Sequence, residues 1–457
     1  MEKADIIIIG SGPGGYHTAI YAANNGLSVI VIESDELGGT CLNCGCIPTK
    51  TLCRNAEVLD TIRESHRFGI EGTCEYKLDF HEVQMRKQKI VSQLRDGVAT
   101  LLTSAKNVKT VKGTARFKDS KTIVVGEETY TADNILIATG SSPKCPPIEG
   151  ITLTGVVDST GLLDIDDVPR RLCIIGAGVI GMEFASIFNS FGSKVSVVEF
   201  LKECLPTIDS DVAKRLRQNV SKRGVEFYMQ SAVKSIDETT DDNGQRQLTV
   251  NFERKGKIAH IDADIVLVAT GRKPNIANLD IDNAGVNYTT KGVSVNNDFL
   301  TNVSGIYAIG DVNGRCMLAH AATSQGQHVV NHILGKTDSI RFEIMPSAVF
   351  TYPEAASVGL SEDNLKEQGR NYECRKGFYR SNGKALAMDE TEGIVKLLID
   401  KEDNYRIVGC HAFGAHASDM VQEVASLMNK DIRLKEFSDI IHIHPTLSEV
   451  LHDITLM

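Results

Sequence analysis

Hydrophobic residues come in short bursts broken by glycine, and the bursts repeat. Residues 5–9 are almost wholly apolar, the pattern of a strand buried on both faces. Gly10-Ser11-Gly12-Pro13-Gly14-Gly15 follows as a turn. Tyr16, Ala19, Ile20 and Ala23 then recur at helical spacing, and Gly26 stands where it closes the helix. Residues 27–32 predict the next strand, which ends at Glu33. The same order returns later: a strand over 172–175, the turn Gly176-Ala177-Gly178-Val179-Ile180-Gly181, a helix closed near Gly192, a strand over 194–198, and Glu199. Both acids stand at the same distance from the first glycine of their turn, so a whole supersecondary unit is repeated. Each copy also carries a later Ala-Thr-Gly after an apolar run, at Ala138-Thr139-Gly140 and Ala269-Thr270-Gly271.

Pro146-Pro147 and Pro169-Arg170-Arg171 flank the start of the second copy and predict a linker. Residues 241–245 are polar, contain glycine and predict a hairpin loop. After about Phe342 the rhythm changes. Strand candidates at 347–350, 394–399 and 407–413 mix with helical segments at 418–428 and 446–452, which reads as α+β. The expected fold is therefore α/β, with two Rossmann-like dinucleotide-binding domains and an α+β C-terminal domain. The boundaries read as 1–146 plus 276–342, 147–275, and 343–457.

A glycine-rich turn of this kind lets backbone approach a pyrophosphate at the positive end of the following helix. The acid ending the second strand accepts from a ribose hydroxyl. One such motif alone is weak, but here each has its strand, helix and acid. Two dinucleotide sites in one chain imply electron transfer between two carriers. Glu199 disfavours a 2′-phosphate and Phe200-Leu201-Lys202 brings no arginine, so the second site favours NAD over NADP, with Lys202 the one contrary sign.

Composition narrows the picture. Hydrophobic residues are 42% and charged residues 24% of 457, as in an ordinary globular protein. No stretch approaches the roughly 18 apolar residues of a membrane span, and the N-terminus does not resemble a signal peptide, so a cytoplasmic protein is expected. The net charge of −10 disfavours nucleic acid and anionic membrane as partners. The 11 cysteines are mostly scattered, which in a reducing compartment predicts packing. One cluster stands out: Cys41, Cys44 and Cys46. On a bent or helical segment Cys41 and Cys46 could approach bonding distance, and a helix N-terminus with Lys50 nearby would lower a thiol pKa. Three buried thiols is the plain alternative. A zinc site lacks its fourth ligand, and no metal is expected.

The stretch Gly38-Gly39-Thr40-Cys41-Leu42-Asn43-Cys44-Gly45-Cys46-Ile47-Pro48-Thr49-Lys50 resembles the active site of the FAD- and pyridine-nucleotide-dependent disulfide oxidoreductases. The resemblance runs over essentially the whole chain, through Thr301 and Tyr307-Ala308-Ile309-Gly310-Asp311, Met317-Leu318-Ala319-His320, Phe350-Thr351 with Pro353-Glu354, and His442-Ile443-His444-Pro445-Thr446-Leu447-Ser448-Glu449. It implies roles. Cys41 would be the interchange thiol and Cys46 the sulfur facing the flavin. His444 would be the base, Glu449 its partner and His442 a structural neighbour. FAD would meet Gly10, Gly12, Pro13, Gly15, Glu33, Gly39, Thr40, Lys50, Ala115, Thr139, Gly140, Asp311, Met317, Leu318, Ala319 and His320. NAD would meet Gly176, Gly178, Val179, Ile180, Gly181, Glu183, Glu199, Val233 and Gly271; an ordinary carboxylate at a helix start is the other reading of Glu183. The family also implies a homodimer whose tails complete each other's active sites, which makes the α+β C-terminal domain a dimerisation domain.

Two positions depart from the family pattern. Cys44 replaces an apolar residue, and Ser324-Gln325-Gly326 stands where Glu-Gly is common. Among family members, the Cys-Leu-Asn, Val-Glu-Phe-Leu and His-Pro-Thr-Leu-Ser-Glu runs look most like those that oxidise protein-bound dihydrolipoyl groups. No cysteine follows Cys410, unlike members with a C-terminal redox pair, and no lipoyl module is present, so the lipoylated acyltransferase or carrier is expected as a separate partner. The alternative is an NAD(P)H-dependent reductase of another low-molecular-weight disulfide. A purely structural docking role fits poorly with Cys41, Cys46, His444 and Glu449 all in place.

Overall fold

A computed structural model describes residues 2–71, 76–240 and 244–457. Two compact units result, residues 1–51, 81–144 and 271–340 in the first, and 52–80, 145–270 and 341–457 in the second.

The first unit opens with strand β1 (Glu2–Ile9), helix α1 (Pro13–Asn24) and strand β2 (Val29–Glu33). β1 begins three residues earlier than the apolar run, because pairing with the strand that contains Tyr130 and Ala132 extends it past its buried part. β2 begins two residues later, because Gly26 and Leu27 are spent closing α1 through N–H bonds to Ala23 and Ala22. Two helices carry the cysteine cluster: α2 (Gly39–Cys44) and α3 (Cys46–Glu64), and the long α4 (Phe80–Ser104) follows. Strands β3 (Val108–Lys112), β4 (Ala115–Asp119), β5 (Thr122–Val125) and β6 (Glu128–Ile137) complete a sheet in the order β3-β2-β1-β6-β5-β4. The strand Ile306–Ala308 adds to β6, in parallel. Ile6, Ile7 and Ile8 are fully buried, as an apolar strand covered on both faces requires. The helix Ala319–Ile333 lies against α1 so closely that a Cβ on Gly326 would sit 1.7 Å from Thr18 Oγ1.

The second unit repeats the motif. Strands Glu226–Tyr228, Lys194–Val198, Arg171–Ile175, Ile265–Val268 and Val156–Val157 form a parallel sheet in that order. Helix Val179–Phe191 ends at Gly192, whose φ is +103°, the left-handed cap expected there. A three-stranded antiparallel meander runs through Ser231–Thr240, Arg246–Arg254 and Lys257–Ala263. Its first two strands flank the predicted hairpin loop, of which 241–243 lie outside the described residues.

The C-terminal segment holds a five-stranded antiparallel sheet: Ser347–Val349, Glu354–Gly359, Arg406–Gly414, Ile394–Asp400, Tyr372–Phe378. Helix Ala417–Met428 supplies much of its core through Met420, Val421, Val424 and Ala425. The last helix is Glu449–Thr455, three residues later than the apolar pattern predicts. Thr446–Ser448 is a turn instead, with Thr446 Oγ1 donating to Ile443 O and Val450 N to Leu447 O.

Candidate active site

The outer glycines of each turn answer to the protein itself. Gly10 has φ +103°, and a Cβ there would lie 2.5 Å from Ala138 O. A Cβ on Gly15 would lie 1.9 Å from Gly10 O. In the second copy the same contacts are 2.6 Å, Gly176 to Ala269 O, and 2.0 Å, Gly181 to Gly176 O. The middle glycines differ. Gly178 has nothing within 4 Å and Gly12 only Gly39 Cα at 3.9 Å. Among the described residues nothing fills the space beside them, which leaves the turn backbone open to a ligand. Both following helices also lack a side-chain N-cap, at Gly12 and Gly178, leaving their first N–H groups for an anion. Pro13 occupies the first position of α1, and Val179 and Ile180 open the second helix.

The two acids are bound alike. Glu33 accepts from Ser11 N at 2.7 Å and from Asp35 N at 2.9 Å. Glu199 accepts from Ala177 N at 2.6 Å and from Leu201 N at 2.7 Å. Each carboxylate thus ties its turn to the end of its strand, and still has lone pairs for a ribose hydroxyl. A dinucleotide fits both cradles.

Around the first cradle, Gly39 is wedged against the turn: a Cβ on it would be 2.6 Å from Gly12 Cα. Thr139 and Asn275 hold each other, Thr139 Oγ1 donating to Asn275 O at 2.7 Å and Asn275 Nδ2 to Thr139 O at 3.0 Å. Gly140, with φ +69°, leads into Ser141, which donates to Asp311. Arg272 Nε donates to Ser141 Oγ at 2.7 Å. Ala115 is buried at the start of β4. Met317 and Leu318 precede the helix that Ala319 and His320 begin. Gln325 explains one departure from the family pattern: its Oε1 accepts from Gly310 N at 2.8 Å and Asn313 Nδ2 at 3.0 Å, a task that needs an acceptor and no charge. Around the second cradle, Glu183 is buried and accepts from Phe350 N at 2.9 Å. Val233 sits beside a bulge in the meander. Gly271, with φ +111°, belongs to the first unit, where its carbonyl accepts from Lys144 N. The sequence did not point to Ser11, Ser141 or Arg272, which lie outside any spacing rule and act only through contacts made by the fold.

The cysteine segment breaks at Gly45, between α2 and α3, where a Cβ would lie 2.9 Å from Thr40 O. The chain folds back there and brings Cys41 into hydrogen bond with Cys46. That bond, followed by burial, raises the Cys41 thiol above its ordinary range, and Lys50 opposes the rise only weakly. The expectation of a lowered thiol is therefore corrected for Cys41, whose hydrogen bond to Cys46 and burial push it the other way. Cys46 is exposed and Cys44 half-buried. Cys173, Cys204 and Cys410 are buried, as packing residues should be. Cys145 is exposed and departs from that expectation, while Cys53, Cys316 and Cys374 are intermediate and Cys74 lies outside the described residues.

In the C-terminal tail, His444 Nδ1 lies 2.8 Å from Glu449 Oε1, and Glu449 Oε2 accepts from Thr446 N at 2.8 Å. The Thr446 N–H, then the His444 ring, hold the Glu449 carboxyl below its usual range. His442 is buried, with Nε2 2.8 Å from Glu423 Oε1 and Nδ1 3.0 Å from Ile440 O. His444 is 80% exposed, and its neighbours Ile441 and Ile443 are 96% and 79% exposed. Among the described residues, no helix is long and apolar enough to cross a membrane and no side-chain group is arranged to hold a metal.

Residues 4–326 match the pyridine nucleotide-disulphide oxidoreductase family, and residues 345–454 match the dimerisation domain of that family. The chain is 38% identical to the dihydrolipoyl dehydrogenase of Chlamydia muridarum, covering 100% of this chain and 97% of the relative. It is 38% identical to the mitochondrial dihydrolipoyl dehydrogenase of Pisum sativum, covering 99% and 91%. Among solved structures, the HOCl-induced flavoprotein disulfide reductase RclA of Escherichia coli superposes with a TM-score of 0.87 at 30% identity, covering 99% of each chain.

Proposed function

Because the chain belongs to the pyridine nucleotide-disulphide oxidoreductase family, a family of FAD- and NAD-using flavoproteins, we propose that it is a dihydrolipoyl dehydrogenase. It would oxidise protein-bound dihydrolipoamide and reduce NAD⁺ in the cytoplasm, as a component of a 2-oxo acid dehydrogenase or glycine cleavage complex. The observation that carries the reading is the Cys41–Cys46 pair at the break between α2 and α3, beside the first cradle.

The residues then divide the work. FAD is assigned to the first cradle, with Glu33, Lys50 and Asp311, and NAD to the second, with Glu183 and Glu199. Bound there, FAD would supply a two-electron acceptor beside the cysteine pair, and NAD⁺ would supply the hydride acceptor at the second cradle. His444, oriented by Glu449, takes the proton of the first substrate thiol. The thiolate attacks Cys41 Sγ of the oxidised pair, and Cys46 leaves as thiolate. The second substrate thiol attacks the substrate sulfur of the mixed disulfide; the lipoyl S–S bond forms, the bond to Cys41 breaks, and Cys41 leaves with that second thiol's proton. The raised Cys41 thiol suits that end state, with the negative charge on Cys46. The exposed His444 and the matched dimerisation domain support a homodimer in which each tail serves the other subunit. The three-domain division at 146/147, 275/276 and 342/343 is retained on the same reading.

The likeness to RclA favours a second reading, NAD(P)H-driven reduction of a different disulfide. Assays of dihydrolipoamide with NAD⁺ and with NADP⁺, against disulfide reduction by NADH and NADPH, separate the two. Rapid NAD⁺ reduction by dihydrolipoamide, with a long-wavelength absorbance on two-electron reduction, is expected; a colourless protein or dihydrolipoamide inertness overturns the proposal.

A further inference from the structure

Helix α2 carries Cys41 yet has only six residues, Gly39–Cys44, and no side-chain N-cap. A helix this short does not hold itself. It is held from outside, and among the described residues Asn43 gives it a polar tie to the loop before it and to α4. Asn43 Nδ2 donates to Leu37 O and Gly39 O, both at 3.0 Å, with Glu36 O further off at 3.5 Å. Its Oδ1 accepts from Arg95 Nε at 3.0 Å. The amide has one orientation, because flipped it would aim an oxygen at three carbonyls. Arg95 Nη1 also lies 3.2 Å from Glu36 Oε2. Arg95 belongs to α4, a helix of 25 residues, so a long rigid element grips both α2 and the loop that enters it.

We infer that Arg95 is a positioning residue for the redox pair, acting through Asn43 to keep Cys41 within bonding reach of Cys46. The inference rests on the functional reading above, in which that pair cycles between dithiol and disulfide. A disulfide tolerates far less relative motion of its two cysteines than a dithiol does. Anchoring α2 therefore favours the disulfide by raising the effective concentration of one sulfur at the other. Releasing it shifts the pair toward the dithiol and leaves the cysteines more oxidising.

The test equilibrates the full-length holoenzyme in graded mixtures of reduced and oxidised dithiothreitol, then reads the Cys41–Cys46 disulfide by alkylation and mass spectrometry. Arg95→Ala is expected to move the midpoint ratio toward the dithiol by about tenfold, equal to about 30 mV for a two-electron couple. Arg95→Lys keeps the charge but not the fork and is expected to fall between the variant and wild type. A folded, flavin-bearing Arg95→Ala protein whose midpoint stays within about twofold of wild type overturns the inference. If the alanine variant loses flavin, Arg95→Lys decides, and a wild-type midpoint there overturns it equally. Dithiothreitol reads the pair without the lipoyl substrate, so a wild type inert to dihydrolipoamide defeats the functional reading while this shift stays measurable.

Discussion

His444 and Glu449 stand 2.8 Å apart, the imidazole almost entirely in solvent and the carboxylate pinned from behind by the Thr446 N–H. The pair is preassembled, and the Thr446 N–H, then the His444 ring, lower the glutamate's pKa. Replacing His444 by Gln should lower dihydrolipoamide turnover by about 10²-fold or more, the usual share of a general base. Glu449→Gln keeps an acceptor for Thr446 N but loses the charge, and should cost less, about tenfold. Steady-state rates with dihydrolipoamide, beside NADH oxidation by an artificial acceptor, check both; the second activity should be unchanged.

The cysteines separate by role. If the pair only relays electrons, as proposed, Cys41→Ser and Cys46→Ser should each abolish dihydrolipoamide turnover, while electron flow from NADH to an artificial acceptor persists. Cys44→Ala should retain most activity, as Cys44 takes no part in the Cys41–Cys46 bond. Equal loss of both activities in the two serine variants would contradict the relay.

The glycines of the second turn make a contrast. Gly178→Ala meets no protein atom and should preserve the melting temperature while weakening NAD binding. Gly181→Ala drives a methyl to 2.0 Å from Gly176 O and should destabilise the fold by roughly 1–3 kcal/mol or more. Thermal unfolding and NAD titration on both variants distinguish a ligand-facing glycine from a packing one.

Lys396 is 1% exposed, with Asp209 Oδ1 and Glu362 Oε2 each at 2.7 Å. Burial works against the Glu362 charge, but the Lys396 and Lys366 ammonium groups outweigh it and hold that carboxyl down to about 2. Lys396→Met should therefore destabilise by about 3–5 kcal/mol, because two carboxylates lose their buried counter-ion. Denaturant unfolding measures it.

His411 borders the same cluster, accepting from Asp209 N at 3.4 Å, with Nε2 3.1 Å from Leu360 O. Burial lowers its pKa below the ordinary histidine value of about 6.5. The unfolded chain then binds a proton that the folded chain refuses as pH falls through about 6.5, so stability falls on acidification from that point. The slope should reach at most about 1.4 kcal/mol per pH unit for this one group. Unfolding curves between pH 5 and 8 should show it, and His411→Gln should flatten it.

What could be read without the structure follows from chemistry that needs neighbours in sequence. Gly10, Gly15, Gly176 and Gly181 were legible because a turn and a close approach demand glycine at fixed spacing. Cys41 and Cys46 were legible because their partner is five residues away, and Glu449 because a helix start places it beside His444. Arg272, Ser141 and Arg95 were not, because each meets its partner only after distant strands or helices are brought together. The sign of the Cys41 shift was also hidden: a helix start and Lys50 suggested a lowered value, and only the fold-back at Gly45 shows the Cys46 bond that prevails.

The bonds from Glu199 to Ala177 N and Leu201 N have a consequence for anyone wishing to retarget the enzyme to the phosphorylated nicotinamide cofactor. The obvious first move, neutralising Glu199, would leave at least one of two backbone donors without its acceptor before any nucleotide arrives. On the proposed reading, cofactor choice and turn integrity are vested in one carboxylate. A successful redesign must therefore supply a replacement acceptor for those two amides together with the new phosphate-binding cation, or it will trade selectivity for a loosened second cradle.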